Sequence, residues 1–166
     1  MSSKPEEKKE NTARELLRHA VATLAYRGVK AIRGAPDGFS GFMASEKTRT
    51  PGQILAHLGD LIDWGLSMAK GKQEWHDSPP ISWEEGAKRF FAALQSFDDY
   101  LASDAPLHAS AERLFQGPVA DALTHVGQIA MLRGIAGSSV RAENYFKADI
   151  VTGRVGAEQT APQREF

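Results

Sequence analysis

The sequence contains no cysteine. Disulfides, thiolate zinc sites, iron–sulfur clusters and cysteine nucleophiles are thereby excluded, and any metal must be held by nitrogen and oxygen ligands. It also lacks an excess of charge: 20 Lys and Arg against 21 Asp and Glu leave a net charge of −1. A nucleic-acid surface normally shows as a basic patch or high pI, so no nucleic acid is expected as a partner. No apolar run approaches the length needed to span a bilayer, so no membrane partner is expected either. The N-terminus MSSKPEEKKENTARE is polar and has no apolar core of a secretory signal, which makes a cytoplasmic location the default expectation. P-loop, G-x-G-x-x-G and G-x-S-x-G patterns are all missing, which removes support for nucleotide use and for a serine hydrolase.

What is present is an ordinary globular mixture in a chain of 166 residues, enough for one core and too short for two ordinary domains. Residues 1–10 are charged and poor in apolar side chains, and read as a disordered lead-in. Four helix-like segments follow. The first spans about Asn11 to Arg33, with Leu17, Val21, Leu24, Gly28 and Ile32 at helical spacing. The second is marked by Thr50 as N-cap, Pro51 at the first helical position and Gln53 closing a capping box, and it ends at Lys70-Gly71. The third opens on a second capping box, Ser82 to Glu85, and carries Phe90, Leu94, Phe97 and Leu101 on its inner stripe. The fourth starts at Gly117-Pro118 and ends near Gly137. With no strand pattern between them, these segments predict an all-α fold, an antiparallel four-helix bundle over residues 11–140. The tail, 141–166, is irregular; it packs on the bundle or is partly disordered, and ENYFKADI reads as a short helix or an extended strip. The connections at 34–49 and 71–81 carry Phe39, Phe42 and Trp75, aromatics suited to folding over one end of the bundle.

Two of the helices bear polar residues where apolar ones are the rule. On a helical wheel His57 falls in the apolar arc of the second helix, near Leu61 and Trp64, while Asp60, Asp63, Ser67 and Lys70 fall opposite. A buried imidazole without partners costs on the order of 1–3 kcal/mol, so His57 needs a hydrogen bond or a metal. In DALTHVGQIAMLRGIAG, residues 121–137, Leu123, Val126, Ile129, Met131, Leu132 and Ile135 leave little room for a wet face. Yet Asp121, His125 and Gln128 follow i, i+4, i+7 along one side. His57, Asp121 and His125 would make a two-histidine, one-carboxylate set with open positions, as used by catalytic Zn²⁺ and non-haem Fe²⁺. The alternative is a structural Asp121–His125 hydrogen bond near the helix start, where a carboxylate also suits the dipole.

In ILAHLGDLIDW and THVGQIAMLRGIAG the sequence resembles the DinB-like superfamily of four-helix metalloproteins. Members typically carry one His in the middle of helix two, and an H-x-x-x-H pair on helix four followed by G-Q and L-R. His57 matches the first, His125 the second His of the pair, and Gly127-Gln128 and Leu132-Arg133 the rest. Asp121 stands where the pair's first His belongs, which keeps a ligand but hardens the site toward Fe²⁺ or Mn²⁺ relative to three histidines. The resemblance implies a divalent metal (Zn, Ni, Fe or Mn) on His57, Asp121 and His125, and a homodimer. It also implies a metal-dependent thiol transferase or hydrolase, acting on a small electrophilic substrate with a low-molecular-weight thiol or water. The competing reading is a degenerate, metal-free bundle that binds a small ligand or acts through dimerisation.

The remaining polar residues carry blander expectations. His19 is predicted on the solvated face of the first helix, and His76 and His108 in surface connections. Gln128 is expected to be structural, holding the fourth helix or a ligating His in place, and Trp64 and Met68 to pack beside His57. Arg133 reads as a surface residue or as the partner of an acidic neighbour. Asp98, Asp99 and Tyr100 close the third helix without a paired-carboxylate pattern. Asn144 and Tyr145 either cover the pocket mouth or pack on the bundle side or on a second subunit.

Overall fold

A computed structural model describes residues 5–166, with side chains described from Lys8 onward. Helix α1 spans Pro5–Ile32, α2 Pro51–Ala69 and α3 Trp83–Ala102. A fourth helical rod is built from α4, Ala111–Leu114, a π turn over Phe115–Val119, and α5, Ala120–Ile135. Short 3-10 turns lie at Phe39–Gly41 and Tyr145–Lys147. Among the described residues there is no strand, only an isolated antiparallel bridge between Glu143 and Glu165. The chain is therefore all-α. Of the expected lead-in, residues 5–10 extend α1 and residues 1–4 lie outside the described residues. Glu and Lys dominate that stretch, and both are good helix formers even where there is no apolar surface to bury.

The apolar spacing is realised as packing. Leu17, Val21 and Leu24 of α1 and Phe90, Leu94, Phe97 and Leu101 of α3 are all buried in one core with Leu55, Leu58, Leu61 and Ile62 of α2. Helix α2 packs on α3 and α5, and α1 packs on the same two, so the four long segments close a ring around that core. The α2 cap is as predicted: Thr50 accepts from the Gln53 amide at 3.3 Å, and the Thr50 amide donates to Gln53 Oε1 at 2.9 Å. Past the C-cap Lys70, Gly71 adopts φ +80°, a left-handed turn that a side chain would strain. The second box is half formed. Ser82 accepts from the Glu85 amide, but the Glu85 carboxylate takes the Ser82 hydroxyl at 2.6 Å rather than the backbone N–H.

The last helical rod differs from its prediction. It begins at Ala111, capped by the Ser110 hydroxyl, and runs through Gly117-Pro118 instead of starting there. Proline lacks an N–H and its ring collides with the carbonyl four residues back, so the wider π turn accommodates it inside the helix. The Pro118 ring then fits against Gly65 of α2, where a Cβ would lie 3.1 Å from Pro118 Cγ.

Arg133 is not a surface residue, being 5% exposed, and among the described residues it has no acidic partner. Its guanidinium donates to the carbonyls of Ala31, Arg33 and Gly34 at 3.0–3.1 Å, and to Ser138. One side chain on α5 thus satisfies the carbonyls that α1 leaves open at its C-terminus. Asp98 is likewise buried, gripped by Arg18 Nε and Nη2 at 3.0 and 3.1 Å. The tail lies along α1. Glu143 accepts from the Tyr26 hydroxyl at 2.6 Å and from Lys30 at 2.7 Å, and Tyr145 sits edge-on to Tyr26 beneath Arg27. Of the three placements open to Asn144 and Tyr145, Tyr145 takes the side of the bundle.

Candidate functional site

The three residues singled out by the sequence meet at the seam between α2 and α5. His57 is half-buried on α2, and its ring stands perpendicular to that of His125, with 4.7 Å between centroids. Asp121, one turn before His125, places Oδ1 3.5 Å from His125 Nε2. One ligand atom from each of the three lies within 4.8 Å of the other two. An ion could touch all three with side-chain adjustment alone.

Gln128 pairs with His125, its side-chain amide lying 2.7 Å from His125 Nδ1. The other ring nitrogen, Nε2, lies 3.5 Å from Asp121 Oδ1, which is long for a hydrogen bond. Burial lowers the pKa of His57 below the ordinary imidazole value, and the neighbouring His125 and Arg49 lower it further. Two imidazoles from facing helices, one of them oriented by a side-chain amide, are the donor chemistry a divalent cation uses. Asp121 is the looser arm, its side chain 50% exposed.

The surroundings differ from the helical-wheel picture in two ways. Asp60, assigned to the wet face of α2, is 1% exposed. It accepts from the Ser78 amide at 2.8 Å, the Ser78 hydroxyl at 2.7 Å and Arg89 Nη2 at 2.7 Å. Burial pushes its carboxyl up, but these hydrogen bonds and the Arg89 charge outweigh that and hold it below its usual value. Ser67, placed on the same wet face, is also buried, bonded to the Glu74 amide at 3.1 Å. Together Asp60 and Ser67 fasten the 71–81 connection along α2. That fastening lays Trp75 edge-on against His57 at 5.6 Å and against Trp64 at 5.8 Å. The aromatic cover anticipated for this connection is thus present, held by two residues that looked solvated in sequence.

The second difference is on α5. Met131 and Ile135 are 61% and 57% exposed, so this helix has a wet side despite its apolar composition. Two hollows open beside the imidazoles. One, of about 340 Å³, is bordered by Ile54, His125, Gln128, Met131 and Leu132. The other, of about 370 Å³, is bordered by Gln53, His57, Asp60, Ser78 and Pro79. His19, His76 and His108 are exposed and lie outside the cluster, as their positions in the sequence suggested; His19 Nδ1 lies 3.2 Å from the Thr152 hydroxyl. Asp60 and Trp75 carried no sequence signal beyond a carboxylate three residues after His57 and an aromatic in a polar connection. Among the described residues no helix is long and apolar enough to cross a membrane. Compared with known proteins, the chain matches no family model, no curated protein and no solved structure.

Proposed function

We propose that the chain is a DinB-like antiparallel four-helix bundle in which His57, Asp121 and His125 hold a divalent cation. The reading extends to a metal-dependent thiol transferase or hydrolase acting on a small electrophile. The observation that carries it is the convergence of three donor atoms within 4.8 Å, with Gln128 holding His125 through Nδ1. Zinc, nickel, iron and manganese all suit nitrogen and oxygen donors, and the carboxylate tilts the set toward iron and manganese. A cation there supplies Lewis acidity, lowering the pKa of a thiol or water that reaches it. The chain's own residues do the rest. Gln128 orients His125, Trp75 shields one side of His57 from solvent, and the hollows beside the imidazoles leave room for a small substrate.

A second reading, a metal-free bundle that binds a ligand or acts as a dimer, draws on the exposure of Asp121. A carboxylate half in water has solvent as a partner and does not by itself demand an ion. The homodimer rests on the family resemblance alone, and sedimentation at several concentrations would check it.

Metal content separates the two readings. Untagged protein prepared without chelator should carry close to one Zn, Ni, Fe or Mn per chain by plasma mass spectrometry, and His57→Ala should carry almost none. Absence of metal from the wild type after incubation with each ion would sink the first reading. Turnover unchanged by stripping the metal would remove its catalytic part.

A further inference from the structure

Both hollows beside the imidazoles share one wall residue, Arg49. It is exposed, and among the described residues its guanidinium makes no hydrogen bond or ion pair, unlike Arg14, Arg18, Arg89 and Arg133, each of which has named partners. Its backbone is nevertheless fixed, because the next residue is Thr50, locked by the reciprocal capping bonds with Gln53. An unpartnered cation on a rigid stem, placed at the junction of two hollows, is arranged to meet a charge that arrives from outside.

We propose that the substrate of this site is a small amphipathic organic acid, with its carboxylate on Arg49 and its apolar arm in the hollow beside Ile54, Met131 and Leu132. This rests on the reading of the seam as a substrate site, and names the class of molecule it takes. A single guanidinium matches a single carboxylate in bidentate geometry. A dianionic phosphate fits less well, since Asp77 borders the second hollow and Asp121 stands beside His125. The apolar arm is indicated by Ile54 and Leu132, which are buried behind the first hollow, and by Met131, which is 61% exposed at its rim. A methionine there can re-pack around arms of different shape.

The probe pair is 4-phenylbutanoate and its neutral amide, titrated by calorimetry into metal-stripped and metal-loaded full-length protein. In both states the acid should bind about tenfold more tightly than the amide, the scale of one charge-assisted bidentate contact. Arg49→Gln should abolish that preference, Arg49→Lys should keep part of it, and Met131→Ser should weaken acid and amide alike. Equal binding of acid and amide, no binding of either, or a preference that survives Arg49→Gln would overturn the proposal. Displacement of the probe by inorganic phosphate as readily as by acetate would overturn the carboxylate assignment. The stripped arm keeps the two ideas separable. A preference that depends on Arg49 in protein that takes up no metal defeats the metal reading and leaves this one standing. Stoichiometric metal with no effect of Arg49→Gln does the reverse.

Discussion

Arg133 and His57 are both polar groups set among apolar neighbours, and the way each is satisfied separates two regions of the molecule. Along α1 the buried charges of Arg133, Asp98 and Glu143 are matched, and Arg14 Nε is the exception, buried without a partner among the described residues. Arg133 meets three carbonyls, Asp98 meets Arg18 through two hydrogen bonds, and Glu143 takes both Tyr26 and Lys30. At the α2–α5 seam the matching stops short. His125 is half-buried with one nitrogen on Gln128 and the other facing Asp121 and His57 without a hydrogen bond, and hollows lie on either side. A closed network rigidifies a fold and costs stability when cut. Donor atoms that converge and remain uncommitted serve the fold poorly, and their arrangement is better explained by a ligand. What sets the seam apart from a lone unsatisfied atom such as Arg14 Nε is that its three donors converge beside open hollows.

Four substitutions test that contrast, in descending order of effect. Arg133→Met leaves the buried carbonyl of Ala31 and the part-buried carbonyls of Arg33 and Gly34 without this donor, and should cost about 3 kcal/mol in urea unfolding. A cost under about 1 kcal/mol would mean that water substitutes freely and that the α1 side is no tighter than the seam. Asp60→Asn should cost about 2 kcal/mol at neutral pH, because Arg89 and Ser78 lose a charged acceptor. The carboxyl is depressed in the folded state, so its contribution is present above the unfolded carboxylate range and lost as pH falls through the folded value. The variant should therefore show a flatter acid limb in stability against pH; an unchanged limb would remove Asp60 from the account.

The seam should behave in the opposite sense. Gln128→Leu frees the His125 ring and should weaken metal binding by about 10- to 100-fold, with little change in the unfolding midpoint of stripped protein. If stability falls and metal affinity does not, Gln128 belongs to the fold and not to the site. The smallest effect is expected for His57→Leu in stripped protein, a change within about 0.5 kcal/mol at neutral pH. Its pH dependence carries a sign. A folded pKa below the ordinary value makes the wild type lose stability as pH drops from the unfolded imidazole range toward the folded value. His57→Leu should abolish that decline, and thermal melts between neutral and mildly acidic pH would register its persistence.

The features legible in the sequence were those set by neighbours in the chain. The Thr50-Pro51-Gln53 cap, the Gly71 stop and the Phe90-Leu94-Phe97-Leu101 stripe each depend on residues within a turn or two, and each is realised. The i, i+4, i+7 spacing of Asp121, His125 and Gln128 belongs to the same class, which is why the Gln128–His125 pairing could be anticipated. The start of the last helix was missed because Gly-Pro is a strong local boundary signal. The packing of Pro118 against Gly65 of another helix, which accompanies the π turn, is not written in local sequence.

The sequence by itself determined the helical class, the inner stripes and the candidate ligands, because helical periodicity and capping are short-range properties of the backbone. Only the tertiary structure decided which polar residues go inside. Asp60, Ser67, Asp98, Arg133 and Glu143 are buried because partners from distant segments, among them Ser78, Arg89, Arg18 and Lys30, arrive to satisfy them. Met131 and Ile135 stay wet because, among the described residues, no segment covers that side of α5. Burying a polar group is favourable only when its hydrogen bonds are replaced, and the replacements are chosen by the packing of the whole chain.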